Sequence, residues 1–435
     1  MLLLNISDIH FRHPHCNTGM DPDQPYRTRL IQDARDFAQK MGTVDAILVG
    51  GDIAFRGAPE EYAAALEWLK ELSAQCGCPL ERVFVVPGNH DVDRAVITGS
   101  ASVRNVQAAI SNASNREKEL RDQFGDPEAG RSLLAPIEEY NAFAARFNCQ
   151  IYASDKLFWH QDLHLDGCTI LRVYGLTSTL LSGARGQDDT QLSLYLSPLQ
   201  TVLNPADGVV NLVMCHHPPD WFMDRDDIED AVSGRAAIQL FGHRHRQRLL
   251  RDPSYIRFSA AAVNPDRHEP GWEPGYNVIR LTTSQGNGER FLDIEAHLRV
   301  WQTNPDMFRA KMASQNDEVF RHQLRIYGVA PSQGNGVACV GVGQPSPETG
   351  AVMDECAAAP VVEATMSDER TRNLVLRFWE LASSERREIA TELGLLENEE
   401  IRLPEAERYG RALTRAGERG LLDEIADEIE KREKR

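Results

Sequence analysis

Six short apolar runs, most of them followed directly by polar residues or glycine, organise the first 300 residues of the chain. They are residues 2–6, 46–49, 83–86, 170–174, 209–215 and 236–241. Unbroken apolar runs of this length are typical of strands that are buried on both faces. Between the second and third runs, residues 59–72 carry Tyr62, Leu66, Leu69 and Leu72 at helical spacing. Strands and helices therefore alternate, which predicts an α/β domain.

Five of these runs end in clusters of residues that commonly bind metal ions. The clusters are Ser7-Asp8-Ile9-His10, Gly50-Gly51-Asp52, Pro87-Gly88-Asn89-His90-Asp91, Cys215-His216-His217-Pro218-Pro219 and Phe241-Gly242-His243-Arg244-His245. Because sites in open α/β sheets form at the carboxyl ends of the strands, we expect these side chains to meet at one edge. Asp8 and His10 flank a single residue, so an extended chain would point both side chains the same way.

The donor chemistry of these clusters predicts a metal centre. The candidate ligands are Asp8, His10, Asp52, Asn89, His216, His243 and His245. Mixed carboxylate, amide and imidazole donors suit first-row ions such as Mn, Fe, Co, Ni or Zn. Seven donors are too many for one tetrahedral ion, but they fit two ions about 3.5–4 Å apart that clamp a phosphoryl group. We therefore expect two divalent transition-metal ions, with manganese preferred, and hydrolysis of a phosphoester.

The same residues carry a resemblance to a known family. The order Asp8-x-His10, Gly51-Asp52, Gly88-Asn89-His90-Asp91, His216 and Gly242-His243-x-His245 resembles the calcineurin-like metallophosphoesterase superfamily over about residues 1–300. The resemblance implies a double β-sandwich flanked by helices, with a dimetal centre at one edge of the two sheets. Taken singly, each residue also has an ordinary structural explanation, such as a helix cap or a tight turn.

The resemblance also implies a role for each residue. Asp8, His10 and His245 would hold one ion, Asn89, His216 and His243 the other, and Asp52 would bridge them. His90 falls at the position of an outer-sphere histidine, which would protonate the leaving oxygen or stabilise the transition state. His216 is the expected ligand because related motifs place it two residues before the proline, although His217 remains an alternative.

Further side chains are candidates for substrate binding. We assign catalysis to His90 and Asp52, and contact with substrate to Arg94, His13 and His217. Arg94 could meet a phosphate, and His13 follows the first cluster closely enough to line the mouth of the site. Asp91 is a candidate for holding a ligand in place from behind.

Sequence composition divides the chain into three parts. We expect a catalytic domain over residues 1–300, in which 95–160 form a helical insertion that covers part of the site and a β-hairpin near the end closes the sheet. Residues 301–365 would be an extension and flexible linker, because 328–365 are rich in Gly, Pro, Ala and Ser. Residues 366–435 would form a small all-α bundle, with helices near 374–381, 389–396, 409–416 and 421–429.

The C-terminal bundle is similar to small death-like, effector-associated helical modules of bacterial conflict systems. The similarity rests on residues 376–381 and 389–396 and implies a protein partner rather than catalysis. Apolar stripes containing Phe378, Trp379, Leu393 and Leu421 must be buried against each other, a partner or a second copy. An oligomer is therefore also possible.

Charge and composition exclude some classes of function. A net charge of -18 argues against a broadly basic surface that coats nucleic acid, although it permits a local basic groove. No stretch approaches the roughly 20 apolar residues of a membrane span, and eight scattered cysteines do not form a disulfide scaffold. We therefore expect a cytoplasmic protein. The resemblance to the metallophosphoesterases implies a phosphoesterase, and we expect a phosphodiesterase or nuclease that acts on a nucleotide or nucleic acid. The alternatives are a phosphomonoesterase or protein phosphatase, and a catalytically idle adaptor.

Overall fold

The computed structural model describes two parts of the chain. These are residues 1–151, 156–259, 261–265, 272–286 and 288–327, and, further along, 374, 377–378, 381, 383–396, 400 and 405–433. The chain divides into two compact units, Met1–Pro331 and Ser332–Arg435. The predicted linker at 328–365 and the side chain of Trp379 lie outside the described residues. No helix in the described part is both long and apolar enough to cross a bilayer.

The first unit is built from strands that form two sheets. The strands are β1 (Leu2–Ile6), β2 (Ala46–Val49), β3 (Val83–Val85), β4 (Phe158–His164), β5 (Ile170–Leu176), β6 (Val209–Cys215), β7 (Ile238–Phe241), β8 (Arg248–Arg251), β9 (Ile256–Ser259), β10 (Gly275–Gly286), β11 (Glu289–Gln302), β12 (Met307–Ala310) and β13 (Phe320–Ile326). One sheet has the order β12-β11-β10-β1-β2-β3, with β13 also paired to β11. The other has the order β4-β5-β6-β7-β9-β8.

Parallel pairing brings the ends of the central strands together. In the first sheet β1, β2 and β3 are parallel, and in the second β5, β6, β7 and β9 are parallel. Their carboxyl ends therefore lie at one edge of each sheet, where the polar clusters of the sequence begin. This geometry is what allows residues far apart in the chain to form one site.

Helices cover the outer faces of the two sheets. They are α1 (Gln24–Met41), α2 (Pro59–Cys76), α3 (Arg94–Gly99), α4 (Ala101–Asn112), α5 (Arg116–Gly125), α6 (Pro127–Leu134), α7 (Glu138–Ala144) and α8 (Arg225–Arg235). One apolar cluster joins residues of both sheets with α1 and α2. A second joins β5, β6 and β7 with α4, α5, α6 and α8. The first unit is thus the predicted double β-sandwich flanked by helices.

All six apolar runs form strands, as predicted. The run at 236–241 is shorter than expected, since β7 begins at Ile238. The helix predicted at 59–72 is present as α2, which continues to Cys76 and ends at Gly77 in the left-handed region, φ 66°. The predicted hairpin is β10 and β11, with Gly275 opposite Val300. Strands β4, β8 and β9 were not predicted because their residues do not form continuous apolar runs. Helices α1 and α8 were not predicted because most of their residues are polar.

The first compact unit extends beyond residue 300, where the sequence analysis places the end of the first domain. Strands β12 and β13 lie beyond it and both pair with β11, so the compact unit continues to Pro331. Phe308, Leu324 and Ile326 are buried in the main apolar cluster. The strands were overlooked because β13 alternates buried and exposed side chains and β12 has only four residues.

The segment predicted as a helical insertion is helical, and its helices pack on the sandwich. Val106, Ile110, Leu120 and Leu133 from α4, α5 and α6 pack into the second apolar cluster. Helix α7 packs near the edge strand β3, where the Tyr140 hydroxyl donates to the Val85 carbonyl at 3.1 Å. The segment is therefore a structural layer of the sandwich.

The second unit is a small helical bundle with a core of its own. Its described helices are α9 (Ser383–Glu392), α10 (Glu405–Arg419) and α11 (Leu422–Glu433). The buried residues are Leu374, Phe378, Leu381, Ile389, Ala390, Leu395, Tyr409, Ala412, Leu413, Ala416, Ile425 and Ile429. The helix predicted at 389–396 begins earlier and ends at Glu392, because Gly394 is in the left-handed region, φ 61°. Phe378 is buried against the other helices, while Leu393 and Leu421 pack on the same cluster.

Candidate metal centre

The residues predicted as ligands converge at the edge of the two sheets. The donor atoms of most of them, together with those of His90 and His217, form overlapping groups, and the atoms within each group lie within 4.8 Å of one another. These groups are Asp8, His10 and His245; Asp8, Asp52 and His216; His10, Asp52 and His90; and His216, His217 and His243. Five separate strand ends, after β1, β2, β3, β6 and β7, contribute to them. Such a concentration of carboxylates and imidazoles has no role in packing a core.

Asp52 lies at the middle of this arrangement. Its Oδ2 atom is 3.3 Å from His10 Nε2 and 3.3 Å from His216 Nε2. Its Oδ1 atom accepts a hydrogen bond from the backbone N–H of His90 at 2.7 Å. Burial alone would raise the pKa of Asp52, but the neighbouring imidazoles, His216 first, hold it well below the usual value. A buried carboxylate that remains charged between two groups of donors is suited to bridge two cations.

The first group of donors contains an oxygen that lacks a partner. Asp8 Oδ1 is buried and accepts no hydrogen bond, and His245 Nε2 lies 3.7 Å from it. The other oxygen of Asp8 accepts from Ser7 Oγ at 2.5 Å. His10 Nδ1 lies 3.2 Å from the Asn264 carbonyl, which turns its Nε2 toward the cluster. Since an unsatisfied buried carboxylate oxygen is costly, a cation would stabilise this group.

The second group is centred on the amide oxygen of Asn89. This oxygen is 3.1 Å from His216 Nε2 and 2.9 Å from His243 Nδ1. His216 Nδ1 donates to the Gly50 carbonyl at 2.8 Å, so its Nε2 is directed at Asn89 and Asp52. His216 Nε2 therefore lies between the amide oxygen of Asn89 and the carboxylate of Asp52.

Backbone strain is concentrated in the same residues. Asp8, His10, Asp52 and His243 have φ angles of 51°, 53°, 54° and 61°. Non-glycine residues rarely adopt this left-handed region, and strained positions tend to occur at functional sites. The conformation also corrects the sequence argument for Asp8 and His10, because the chain is not extended there. Their side chains converge because the loop after β1 packs over the loop after β2. The backbone N–H groups of Ile9 and His10 donate to the Asp52 carbonyl.

Two glycines allow the loops to pack this closely. A Cβ atom at Gly88 would lie 2.2 Å from Asp52 Oδ1 and 2.4 Å from the Asp52 backbone nitrogen. Gly51 has a φ of 92°, and a Cβ atom there would lie 2.7 Å from His216 Nδ1. Any larger residue would therefore push the bridging carboxylate or an imidazole out of place.

The imidazoles differ strongly in their affinity for protons. Burial lowers the pKa of His216, but the Asp52 carboxylate outweighs burial and raises it to about 9. For His10 the same opposition also ends in a raised pKa. Burial, together with the charge of His216, lowers the pKa of His243 to about 3. The carboxylates thus favour the protonated, positively charged form of the nearest imidazoles. Bound metal ions would supply this positive charge instead.

Asp91 connects two of the loops through hydrogen bonds to their backbones. Its carboxylate accepts hydrogen bonds from the backbone N–H groups of Ile53, Ala54 and Gly88, at 3.1, 2.9 and 2.9 Å. The hydroxyl of Tyr62 also donates to it at 3.1 Å. Burial and the charge of Asp52 raise the pKa of Asp91 to about 6. Asp91 therefore fixes the loop that carries Asp52 relative to the loop that carries Asn89.

The residues predicted to contact substrate lie in three different environments. Arg94 forms an ion pair with Asp188 at 2.6 Å. His13 is exposed, and its backbone N–H donates to Glu61 at 3.0 Å. His217 is fully buried, and its Nδ1 lies 2.8 Å from Ser178 Oγ. The His217 imidazole packs against the rings of His216 and His243.

The loop after β5 also belongs to this region, although it was not predicted. Ser178 contacts His217, and Asp189 Oδ2 lies 3.8 Å from His217 Nε2. Asp189 in turn accepts from Ser182 and from the backbone of Gly183. The polar residues that follow Leu176 could have indicated a sixth strand end at the site, but hydroxyl groups carry no metal-ligand pattern.

A two-sheet α/β sandwich that gathers carboxylate, amide and imidazole donors at one edge defines the class of the metallophosphoesterases. Residues 1–247 match the family model described as calcineurin-like phosphoesterase, more than half of the chain. The chain belongs to this family. Residues 370–431 match a second model, the GTPase-associated adaptor domain, which agrees with the helical C-terminal module expected from the sequence.

Individual relatives are distant. A curated Bacillus subtilis protein, the uncharacterized metallophosphoesterase-like protein YydB, is 25% identical over 221 residues, which cover 49% of this chain and 42% of the relative. A purple acid phosphatase from yellow lupin seeds shares 10% identity, with a TM-score of 0.39, over 78% of this chain and 57% of its own. A putative 5'-nucleotidase from Staphylococcus aureus shares 15% identity, with a TM-score of 0.33, over 73% and 56%. These solved structures are too distant to carry an argument about substrate.

Proposed function

We propose that the first unit hydrolyses phosphoesters at a two-metal centre. The observation that carries the proposal is the position of Asp52, whose Oδ2 atom is 3.3 Å from one imidazole of each donor group, His10 and His216. A carboxylate in this position can bridge two cations. Membership of the calcineurin-like phosphoesterase family supports the same reaction.

The donor set fits two divalent ions. Asp8, His10 and His245 would hold one ion, Asn89, His216 and His243 the other, and Asp52 would contact both. The buried Asp8 Oδ1, which accepts no hydrogen bond, is the strongest structural support for a bound cation. Borderline ions such as Mn, Fe, Zn, Co and Ni suit carboxylate and imidazole donors together, and we propose manganese as the native pair. Such ions supply Lewis-acid stabilisation of the phosphoryl charge in an in-line displacement.

His90 is proposed to transfer a proton at the leaving oxygen. Its Nδ1 lies 3.0 Å from the Phe55 carbonyl, to which it donates, so Nε2 is the nitrogen left for substrate. Burial lowers the pKa of His90 while Asp52 opposes this effect. Arg94 and His13 are proposed to contact substrate from the rim, since neither side chain is buried. For His217 we propose support of the neighbouring ligands instead.

For the substrate we propose a phosphodiester of a nucleotide or nucleic acid. Arginines follow several of the strand ends that build the centre: Arg12 after β1, Arg56 after β2, and Arg244 and Arg246 after β7. In a chain with a net charge of -18, these cations at the site would favour an anionic substrate that extends beyond one phosphate. Phosphomonoesters and phosphoproteins are the competing substrates.

For the second unit we propose a role in binding a protein partner. Its match to a GTPase-associated adaptor domain suggests a GTPase-type partner, and the setting would be the cytoplasm of a bacterium with a conflict system. The bundle has an apolar core of its own, so it can present a stable surface to a partner.

A substrate panel tests the proposed function. The full chain would be supplied with manganese and offered single- and double-stranded DNA, RNA, cyclic nucleotides, a phosphopeptide and bis(4-nitrophenyl) phosphate. We expect hydrolysis of the chromogenic diester and of at least one nucleotide substrate, and none by His216→Ala, which loses a ligand. Hydrolysis of the phosphopeptide alone would support a phosphatase. A chain that binds no metal and hydrolyses nothing would be an adaptor, and the proposal would be wrong.

A further inference from the structure

Phe55 makes contacts with three residues of the centre and its rim. Its ring stacks on the His90 imidazole, with centroids 4.9 Å apart and planes inclined by 12°. The same ring meets His10 edge-on at 5.8 Å. The guanidinium carbon of Arg12 lies 3.9 Å from the ring centroid, a cation–π distance. Phe55 therefore packs against a candidate ligand and the candidate proton donor at once.

The main chain of Phe55 holds the same imidazole at a second point. His90 Nδ1 lies 3.0 Å from the Phe55 carbonyl, and the ring is stacked on the Phe55 side chain. Stacking limits tilting of the imidazole, and the hydrogen bond at Nδ1 decides which nitrogen faces the centre. A ring held by one of these contacts alone could still rotate, whereas both together define its position.

A buried carboxylate fixes the segment that carries Phe55. Glu61 Oε2 accepts the backbone N–H groups of Phe55, Arg56 and Ala58 at 3.1, 2.9 and 3.2 Å. Its Oε1 accepts the N–H of His13 at 3.0 Å. Glu61 is 1% exposed, so these charge-assisted hydrogen bonds are shielded from water. Glu61 thus anchors the loop after β2 on helix α2. The Phe55 carbonyl of this loop accepts the hydrogen bond from His90.

We propose that Phe55 is a positioning residue for His90, and that Glu61 anchors it. Phe55 holds the imidazole so that Nε2 faces the reacting phosphoester. This inference rests on the proposed function, because a proton donor must lie within about 2.6–3.2 Å of the oxygen that it serves. Phe55 has no acid-base or ligating group of its own, so we assign its effect on the reaction to the position of His90. No residue of this loop other than Asp52 has a metal-ligand or acid-base pattern in the sequence.

A double-mutant cycle tests the dependence on His90. Phe55→Leu keeps an apolar side chain and the carbonyl but removes the stack. We expect it to lower kcat about tenfold or more for diesters with poor leaving groups, with KM changed less than about threefold and metal content unchanged. In a His90→Ala background the same change should have no further effect. Phe55→Tyr keeps the stacked ring and should restore most of the rate.

A matched control is Phe37→Leu, since Phe37 also lies beside a histidine and an arginine, His297 and Arg299. It should leave kcat within about twofold of wild type. If Phe55→Leu lowered kcat equally in the wild-type and His90→Ala backgrounds, Phe55 would have a general structural role and the proposal would be overturned.

A spectroscopic readout separates this inference from the proposed function. In full-length protein labelled with ¹⁵N-histidine, His90 should show one neutral tautomer, with the proton on Nδ1, and Phe55→Leu should show a mixture. Unchanged His90 signals in Phe55→Leu would overturn the positioning role. If wild type hydrolysed no phosphoester, the proposed function would be wrong, and these spectra would still decide whether Phe55 positions His90.

Discussion

At the scale of single residues, the centre combines donors that are strained, buried and only partly satisfied. Asp52 stands between the two donor groups, and Asp8 Oδ1 has no hydrogen-bond partner. Four of the seven candidate ligands have φ angles in the left-handed region. Burying these donor groups without hydrogen-bond partners for all of their polar atoms costs free energy, and bound cations would offset this cost. The roles proposed for individual residues can therefore be separated by their effects on metal content and on rate.

His90→Ala should reduce the rate without removing metal. Because His90 is assigned to proton transfer, we expect both ions to stay bound and kcat to fall roughly 10²–10⁴-fold. The loss should shrink for esters whose leaving groups need no proton, such as nitrophenolates. The measurement is kcat over a series of aryl diesters, together with metal content. Equal losses for all leaving groups would point to a role in binding instead.

Metal binding should release protons at neutral pH. In the metal-free protein the Asp52 carboxylate raises the pKa of His216 to about 9, against the opposing effect of burial. An imidazole must lose its proton to bind a metal, so affinity should weaken as pH falls below about 9, by roughly tenfold per unit for each such proton. Calorimetric titration in two buffers of different ionisation enthalpy counts the protons. Binding without proton release at pH 7.5 would contradict this assignment.

At the scale of elements, the site depends on how closely the loops after β1, β2, β3, β6 and β7 pack. Asp91 joins the loops after β2 and β3 through backbone hydrogen bonds, and Gly88 allows them to touch. The loop after β5 packs against His217 through Ser178. A Cβ atom at Gly88 would meet the backbone nitrogen of Asp52 at 2.4 Å, so a side-chain rotation could not accommodate it.

Gly88→Ala should damage the centre. The new Cβ atom would lie 2.2 and 2.4 Å from two atoms of Asp52, so the loops must separate. Overpacking of this kind costs about 1–3 kcal/mol, and we also expect weaker metal binding. Gly99→Ala is the matched control, because nothing lies within 4 Å of the added atom. Thermal unfolding and metal titration of the two variants give the comparison, and equal behaviour would show that the close contact is not required.

Much of this arrangement could be predicted from sequence, for a physical reason. The apolar runs predicted the central strands, and ligand-type residues such as Asp8 and His243 stand at their ends. The contacts of Phe55 and Ser178 could not be predicted, because aromatic and hydroxyl side chains occur in many roles. Strands β12 and β13 were missed because β12 has only four residues and β13 contains few apolar residues.

At the scale of the whole molecule, the chain consists of a metallophosphoesterase unit and a separate helical unit. The first unit extends through β13 to Pro331, beyond the boundary expected from sequence. The second unit buries residues such as Phe378, Ile389 and Tyr409 in its own core. Since every candidate ligand lies before residue 246, the two units can be tested independently.

A chain that ends after Pro331 should fold, bind metal and hydrolyse a small diester, but lose its protein partner. A chain that ends at Val300 should not fold. It lacks Phe308, Leu324 and Ile326, which are buried in the main core, and burial of each such side chain stabilises by about 1.5–3 kcal/mol. That loss is comparable with the whole stability of a typical domain, about 5–15 kcal/mol. Circular dichroism, diester hydrolysis and a pull-down of the two truncated chains provide the measurements. A stable, active chain ending at Val300 would show that the catalytic domain ends at residue 300, as expected from the sequence.

The most direct test of the account is a titration of metal-free protein with manganese, in which bound metal and diester hydrolysis are measured together. We predict two ions per chain, with hydrolysis that rises as the second ion binds. Asp52→Asn keeps the shape of the side chain but removes the bridging charge, and it should abolish hydrolysis while the fold is retained. Full activity with one ion or none, or an Asp52→Asn variant within a few-fold of wild type at saturating metal, would contradict the two-metal centre.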